Sequence, residues 1–262
     1  LGQFATAMPN LRWVQAMTAG PDALLAAGLP ERVQITVGRG FHDRTVTEHA
    51  VALTLALVTR LPHYLIKQNA HDWDGPGFRP LHTPDRLGSV IDTDVLIWGF
   101  GSIGQNMAPI FTALGARVRG IASTAGERAG YPCFTEDDLP RLLPETDVLV
   151  MVLPSTPATR NVLNAERLAL LKPTSLVVNV GRGTCIDEDA LVAALTAGTI
   201  GGAALDVFAT EPLPTGSPLW DAPNTILTPH VAGGRPLGVE AAVRANIAHL
   251  QAGEPLDLLA KP

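Results

Sequence analysis

The sequence predicts an α/β protein built on a doubly wound, mostly parallel sheet, accompanied by a second, smaller α/β domain. Three observations carry this. A glycine turn, Gly99-x-Gly101-x-x-Gly104, joins a short apolar run to an amphipathic segment. From 116 to 227, apolar runs of strand length alternate with helical segments. Near the N-terminus, two weaker apolar runs each close in a glycine-bearing loop.

In chain order, Leu11 to Gln15 reads as a strand and Thr18-Ala19-Gly20-Pro21-Asp22 as the loop after it. Gln34 to Val37 repeats the arrangement and ends in Gly38-Arg39-Gly40. Two such strands suit a small parallel unit with a ligand crevice at their carboxyl ends. Arg39 is a candidate for meeting an anionic group, although an isolated arginine is more often solvated. Thr45 to Ala70 is a long helical pattern in which Thr47 starts the helix and Glu48 loads its first turn. Its run VALTLALVTRL is apolar nearly all round, which implies burial against more than one partner, within a core or across a dimer interface. Pro62 should end or kink it. His42, His49, His63, His71 and His82 have no ligand spacing and read as structural or solvated.

Val95 to Trp98 suits a strand covered on both faces, and Gln105 to Leu114 the helix after the turn. Gly99 permits the tight turn, Gly101 lets backbone approach a pyrophosphate, and Gly104 allows close helix-on-strand packing. The helix N-terminus adds amide donors and partial positive charge. Ala116 to Ala122 is the second strand of this domain. Where a strand of this kind usually ends in an acid that accepts from the ribose 2'-hydroxyl of NAD, this one ends in Ala122-Ser123-Thr124. The hydroxyls of Ser123 and Thr124, with Arg128 close by and Arg119 in the strand, tilt the balance slightly from NAD toward NADP.

Asp147 to Leu153 is a third buried strand, and the loop Pro154 to Thr159 follows it at the sheet's carboxyl edge. A short helix at Ala165 to Leu171 precedes a fourth strand, Ser175 to Val180, which ends in Gly181-Arg182-Gly183. Asp187 to Ala197 is another helix, with Gly198 past its end. Ile200 to Val207 is a fifth strand closing on Asp206, and a proline-rich loop carrying Glu211 leads to Thr225 to Leu227 and then Thr228-Pro229-His230. The final helix, Pro236 to Leu250, is the natural element to return to the first domain.

Composition narrows the function. The chain has 262 residues, 46% hydrophobic and 17% charged, and its net charge of -6 with no basic run argues against nucleic acid and against an anionic membrane surface. No apolar run reaches about 18 residues, so no transmembrane helix is expected. Leu1 to Ala7 lacks the charged start and cleavage pattern of a signal peptide. Cys133 and Cys185 have no metal or CxxC spacing, which reads as reduced, non-ligand thiols in a cytoplasmic protein, with no metal site.

Three charged side chains fall on the edge that carries the glycine turn: Arg182, Glu211 and His230. Together they suit hydride transfer to a 2-oxo acid. Arg182, between two glycines, offers a planar fork to a carboxylate or carbonyl oxygen. His230 can give the carbonyl oxygen a proton as hydride arrives at carbon. Glu211, bonded to the far ring nitrogen, would orient the imidazole and favour its protonated form.

With those residues in view, the chain resembles the D-isomer-specific 2-hydroxyacid dehydrogenases, among them phosphoglycerate, glycerate (hydroxypyruvate reductase) and D-lactate dehydrogenases. The likeness runs through GFGSIG (99 to 104), DVLVMVLPSTPATRNVLN (147 to 164), LLKPTSLVVNVGRGTCIDEDAL (170 to 191), GGAALDVFATEPLP (201 to 214) and SPLWDAPNTILTPHVAG (217 to 233). Thr47-Glu48-His49-Ala50 and the helix after it also look like that family's domain-connecting, dimer-forming helix.

The resemblance implies a Rossmann-type dinucleotide-binding domain at 44–233. It implies a smaller flavodoxin-like substrate domain at 1–43 plus 234–262, incomplete at its N-terminus, with the substrate in the cleft between the two. It makes Arg182 the substrate anchor, His230 the acid/base and Glu211 its partner. It assigns NAD or NADP to Gly99, Gly101, Ser102, Ile103, Gly104, Ser123, Thr124, Leu153, Pro154, Thr159, Val180, Gly181, Asp206 and Gly233, with Asp206 holding the nicotinamide carboxamide. Backbone near Ala19, Gly20 and Gly38 would receive the substrate carboxylate. Glutamate at 211 disfavours formate oxidation, because the related formate dehydrogenases carry glutamine there. The expected partners are a small 2-oxo or 2-hydroxy acid and a second copy in a homodimer. Two rivals keep the same residues: a dinucleotide-sensing corepressor-like binding protein, and an enzyme acting on phosphite or another non-carboxylate.

Overall fold

The computed structural model describes residue 5 and residues 7–20, 22–73 and 80–260; Pro21, in the first predicted loop, lies outside them. The chain divides into two compact units, Leu1–Thr45 with Gly233–Pro262, and Val46–Ala232.

In the first unit, β1 (Trp13–Gln15) pairs in parallel with β2 (Gln34–Thr36), with α1 (Asp22–Leu25) between them in sequence. Both strands are shorter than the apolar runs that predict them. The loops after them meet: the Gly38 N–H donates to Thr18 O at 2.8 Å. A Cβ at Gly38 would lie 2.3 Å from Met17 O, so only glycine allows that approach. The C-terminal helix of this unit, Val239–Ala252, starts three residues later than expected, after Gly238 in a left-handed turn at φ 77°.

The second unit begins in α2 (Asp43–Val58) and α3 (Leu61–Asn69), which make an angle of 66°. The single long helix predicted from 45 to 70 is therefore two. The break falls at Arg60, whose φ is 55°, and Pro62 sits in the first turn of α3, where its missing N–H costs no hydrogen bond. α2 buries Ala50, Leu53, Thr54 and Val58, as its apolar run predicts. α3 buries none of its residues, and Leu61, Leu65 and Ile66 are 50%, 50% and 69% exposed. Among the described residues no single helix is long and apolar enough to cross a membrane; only the bent pair α2 and α3 together reaches that length and composition.

Beyond the small hairpin β3 (His82–Thr83) and β4 (Arg86–Leu87), the elements are β5 (Asp94–Trp98), α4 (Ser102–Ala113), β6 (Arg117–Ile121), β7 (Gly126–Arg128), β8 (Tyr131–Phe134), α5 (Leu139–Leu142) and β9 (Val148–Met151). They continue as α6 (Ala165–Leu168), β10 (Leu176–Asn179), α7 (Glu188–Ala197), β11 (Gly202–Leu205) and β12 (Thr225–Leu227), with α8 (Val239–Ala252) closing the chain. One eight-stranded sheet in the order β12-β11-β10-β9-β5-β6-β8-β7 runs through the unit, parallel except for β7.

The pleat divides its side chains into two layers. Val95, Ile97, Val148, Val150 and Val178 join the core on one face, and Leu96, Trp98, Leu149, Met151 and Val177 the other. A fully buried side chain of this size contributes about 1.5–3 kcal/mol, so both faces must be covered, as expected for a doubly wound sheet. The winding reverses at β5, which lies between β6 and β9. A reversal of this kind opens a crevice at the strands' carboxyl ends, and the glycine turn leaves β5 at that point.

Candidate active site

The turn after β5 is shaped by backbone contact. Gly99 has φ 105° and lies against β9's end, where a Cβ would come within 2.5 Å of Val152 O; at Gly104 a Cβ would be 2.7 Å from Gly99 O. Gly101 differs, because a Cβ there would meet nothing within 4 Å. A glycine with open space beside it leaves the backbone bare to an incoming group. The first backbone bond of α4 runs from Gln105 N to Gly101 O at 2.9 Å, so the amides of Ser102, Ile103 and Gly104 stand ahead of the ladder. Bare backbone followed by donor amides fits a pyrophosphate.

At the end of β6, Ser123 and Thr124 are exposed, and Arg128 reaches back from β7 to donate to Thr124 Oγ1 at 2.7 Å. The hairpin of β7 and β8, not evident in the sequence, brings that arginine to the strand end. Arg119 does not join it: the side chain is taken by Glu145 at 2.5 Å and Asp94 at 3.5 Å. In the loop after β9, Thr159 Oγ1 donates to Pro154 O at 2.6 Å and accepts from Thr156 N–H at 2.9 Å, which closes that loop on itself. Leu153 backbone packs under Gly181, where a Cβ would lie 2.6 Å from Leu153 N.

Arg182 follows β10 and Val180. Buried Asn179 braces the turn, its Oδ1 accepting from Gly181 N–H at 3.0 Å and its Nδ2 donating to Arg182 O at 3.1 Å. The exposed guanidinium donates to Gly181 O at 2.7 Å. Gly183 presses on the Glu211 loop so closely that a Cβ would lie 1.9 Å from the Phe208 carbonyl carbon. Glu211 splits its carboxylate: Oε1 accepts from Phe208 N–H at 2.9 Å, and Oε2 lies 2.7 Å from His230 Nδ1. Glu188 holds the next amide, accepting from Ala209 N–H at 2.7 Å. Burial pushes the Glu188 carboxyl above the usual carboxylate range, with the nearby charges of Asp189 and Glu211 adding to it. Burial likewise pushes the Cys185 thiol up.

Asp206, at the end of β11, is fully buried. Its Oδ1 accepts from Thr228 Oγ1 at 2.5 Å and from Val231 N–H at 3.0 Å, and its Oδ2 from Ala232 N–H at 2.9 Å. Sequence reasoning gave no site role to Asn179, Thr228, Glu188 and His49, whose side chains hydrogen-bond within the loops or to Asp206. Asn179 in the run LVVNV had a visible signal, a lone amide in an apolar strand; His49 did not.

Gly20 and Gly38 belong to the first unit, in the two loops that meet beside Thr18, and Ala19 is exposed there. Gly233 accepts from the His42 ring at its carbonyl, Nδ1···O 2.7 Å.

A parallel sheet with a bare glycine turn at its switch point, and an arginine and a carboxylate-oriented histidine on loops at that edge, defines a dinucleotide-dependent oxidoreductase. Residues 51–232 match the family model of the D-isomer specific 2-hydroxyacid dehydrogenase NAD binding domain. The chain belongs to the D-isomer-specific 2-hydroxyacid dehydrogenases, and is an NAD(P)-dependent enzyme of that family. It is 34% identical over 234 residues to a glycerate dehydrogenase of Methylorubrum extorquens, covering 86% of this chain and 70% of that one. A D-isomer-specific 2-hydroxyacid dehydrogenase family protein from Aeromonas salmonicida superposes with TM-score 0.88 at 34% identity, covering 99% of this chain and 81% of that one. An NADPH-dependent glyoxylate/hydroxypyruvate reductase from Sinorhizobium meliloti, solved with NADP and sulfate, does so with TM-score 0.80 at 30% identity, covering 97% and 79%.

Proposed function

We propose that this enzyme reduces a small 2-oxo acid, of the size of glyoxylate or hydroxypyruvate, to the D-2-hydroxy acid, with a preference for NADPH. The observation that carries the reading is the 2.7 Å contact between Glu211 Oε2 and His230 Nδ1. Nδ1–H donates to the carboxylate, so Nε2 is left to hold the proton that moves. When bound, the nicotinamide supplies a hydride to the carbonyl carbon. His230 gives a proton to the carbonyl oxygen as negative charge grows there, and the Glu211 carboxylate stabilises the imidazolium before transfer. Arg182 anchors the substrate carboxylate and polarises its carbonyl with charge-assisted hydrogen bonds. Backbone N–H groups of the loops at Ala19–Gly20 and beside Gly38, whose own N–H is held by Thr18 O, would receive the carboxylate.

Gly99, Gly101, Ser102, Ile103 and Gly104 would hold the pyrophosphate, a role supported by the open space at Gly101. Leu153, Pro154, Thr159, Val180, Gly181 and Gly233 would line the rest of the dinucleotide, and Asp206 would meet its carboxamide. The NADPH preference is supported by Arg128 and Thr124 at a strand end that lacks an acid. The exposed apolar side chains of α3 support a homodimer built on that helix. Substrates of the glycerate and glyoxylate reductase type are supported by the names of the relatives. No observation favours the corepressor-like alternative.

The deciding experiment follows NADH and NADPH oxidation optically with glyoxylate, hydroxypyruvate, pyruvate, 2-oxobutyrate and phenylpyruvate. A rate with a small oxo acid and NADPH is expected. Cofactor binding without a rate on any of the five would overturn the reading.

A further inference from the structure

We propose that His49 is a positioning residue for His230, acting through Thr228 and the buried carboxylate of Asp206. The inference rests on the assignment of His230 as acid/base, and it concerns how that residue is presented.

Three consecutive backbone N–H groups converge on one residue. His230 N–H donates to Asp206 O at 2.7 Å, Val231 N–H to Oδ1 at 3.0 Å and Ala232 N–H to Oδ2 at 2.9 Å. They hold a histidine whose φ is 51°, in the left-handed region. A residue with a Cβ pays roughly 1–2 kcal/mol there, so the conformation lasts only where its surroundings over-determine it. Asp206 is the group that does so.

The carboxylate is itself aimed. Thr228 spends its single proton on Asp206 Oδ1, so its oxygen is left as an acceptor. His49 Nε2 lies 3.0 Å from that oxygen and 3.3 Å from Asp206 Oδ1. The network therefore assigns the proton to Nε2, and donation runs one way, from His49 to Thr228 to Asp206. Oδ1 is the anchored oxygen, met by three donors. Among the described residues Oδ2 carries one bond, to Ala232, and is the oxygen left for a further donor. His49 stands in the second turn of α2, the helix that opens this unit, so the chain of bonds ties the acid/base loop to a buried helix at the unit's other sequence end.

The test uses the full chain and reads amide hydrogen exchange at 230–232, cofactor binding and steady-state rates in His49→Leu, His49→Gln, Thr228→Val and Asp206→Asn. His49→Leu and Thr228→Val should speed exchange at Val231 and Ala232 about tenfold, in line with the loss of one hydrogen bond. They should lower kcat by a similar factor while the Kd for NADPH stays within about twofold. Glutamine keeps an N–H near the position of Nε2, so His49→Gln should retain the parent's exchange and most of its kcat. Asp206→Asn, which replaces one carboxylate oxygen with an NH2 donor, should speed exchange at Val231 or Ala232 while His230 N–H keeps the backbone carbonyl; if it fails to fold, the two milder variants decide. Parent-like exchange in His49→Leu would overturn the proposal. So would weakened NADPH binding with exchange unchanged, because His49 would then act on the cofactor. If no oxo acid is turned over but the exchange pattern holds, the substrate reading fails while the loop clamp stands.

Discussion

Glu211 serves His230 with one oxygen and the Phe208 amide with the other, so the partner of the imidazole is fixed by the backbone of its own loop. A carboxylate held at both oxygens cannot swing away from the ring without breaking a second bond. The orientation of His230 is thus set before any substrate arrives, and replacing either residue has separable effects.

His230→Ala should lower kcat by about 10²- to 10⁴-fold, the usual contribution of a general acid, with cofactor binding nearly unchanged. Glu211→Gln keeps an acceptor for Phe208 but replaces the anionic partner of the ring with a neutral one, so the rate at neutral pH should fall. Steady-state rates, alongside cofactor titration by fluorescence, check both.

Arg182→Ala should raise KM for the oxo acid and lower kcat/KM about 10- to 100-fold, from the loss of charge-assisted bonds of about 1.5–3 kcal/mol. Lysine should not restore it, because it lacks the planar fork. Unaltered kcat/KM in Arg182→Ala would remove this residue from the site.

Arg128→Ala should lower kcat/KM with NADPH about tenfold or more and leave that with NADH unchanged, since the Arg128 guanidinium donates to Thr124 at the hydroxyl end of β6. The ratio of the two cofactors' kcat/KM is the measurement. An unchanged ratio assigns the preference elsewhere.

Two glycines should respond in opposite ways. Gly101→Val adds side chain into open space, so Tm should hold while cofactor binding is lost. Gly183→Ala would push on the Phe208 backbone, at a cost of about 1–3 kcal/mol for overpacking and thus about 2–12 °C in Tm for a unit of this size. Thermal melts with and without NADPH separate the two.

Glu188 has its carboxyl raised by burial, so its charged form is less favourable folded than unfolded. A raised acid costs stability above the unfolded value of about 4.3, and that cost is absent once pH falls below it. Glu188→Gln, which still offers Ala209 an acceptor, should therefore have a higher Tm than the parent at pH 7. The difference should vanish by about pH 4.

The sequence made the large sheet legible because β5, β9, β10 and β11 are continuous apolar runs between glycines and helix caps. Asp187 and Gly198 mark the ends of α7 in the sequence and in the structure alike. Less legible was whatever depends on distant partners. Tyr131–Phe134 is too short and too mixed to announce β8, which forms because β6 offers it an edge. The break between α2 and α3 came at Arg60, ahead of the proline that draws the eye, since a left-handed residue leaves no signature in an apolar run. The trio of Arg182, Glu211 and His230 was visible from its order after successive strands, and the Glu211–His230 contact joins two of its members. His49, 179 residues from Thr228, was not, because only folding brings that pair together.

The contact of Gly183 with Phe208 has a consequence for how the enzyme fails. Through it the turn carrying Arg182 and the loop carrying Glu211 form one block, and neither can loosen while the other stays ordered. Loss of activity on heating should then be an all-or-none event that coincides with unfolding of the large sheet. A gradual decline caused by local fraying at the chemistry would be out of keeping with that block.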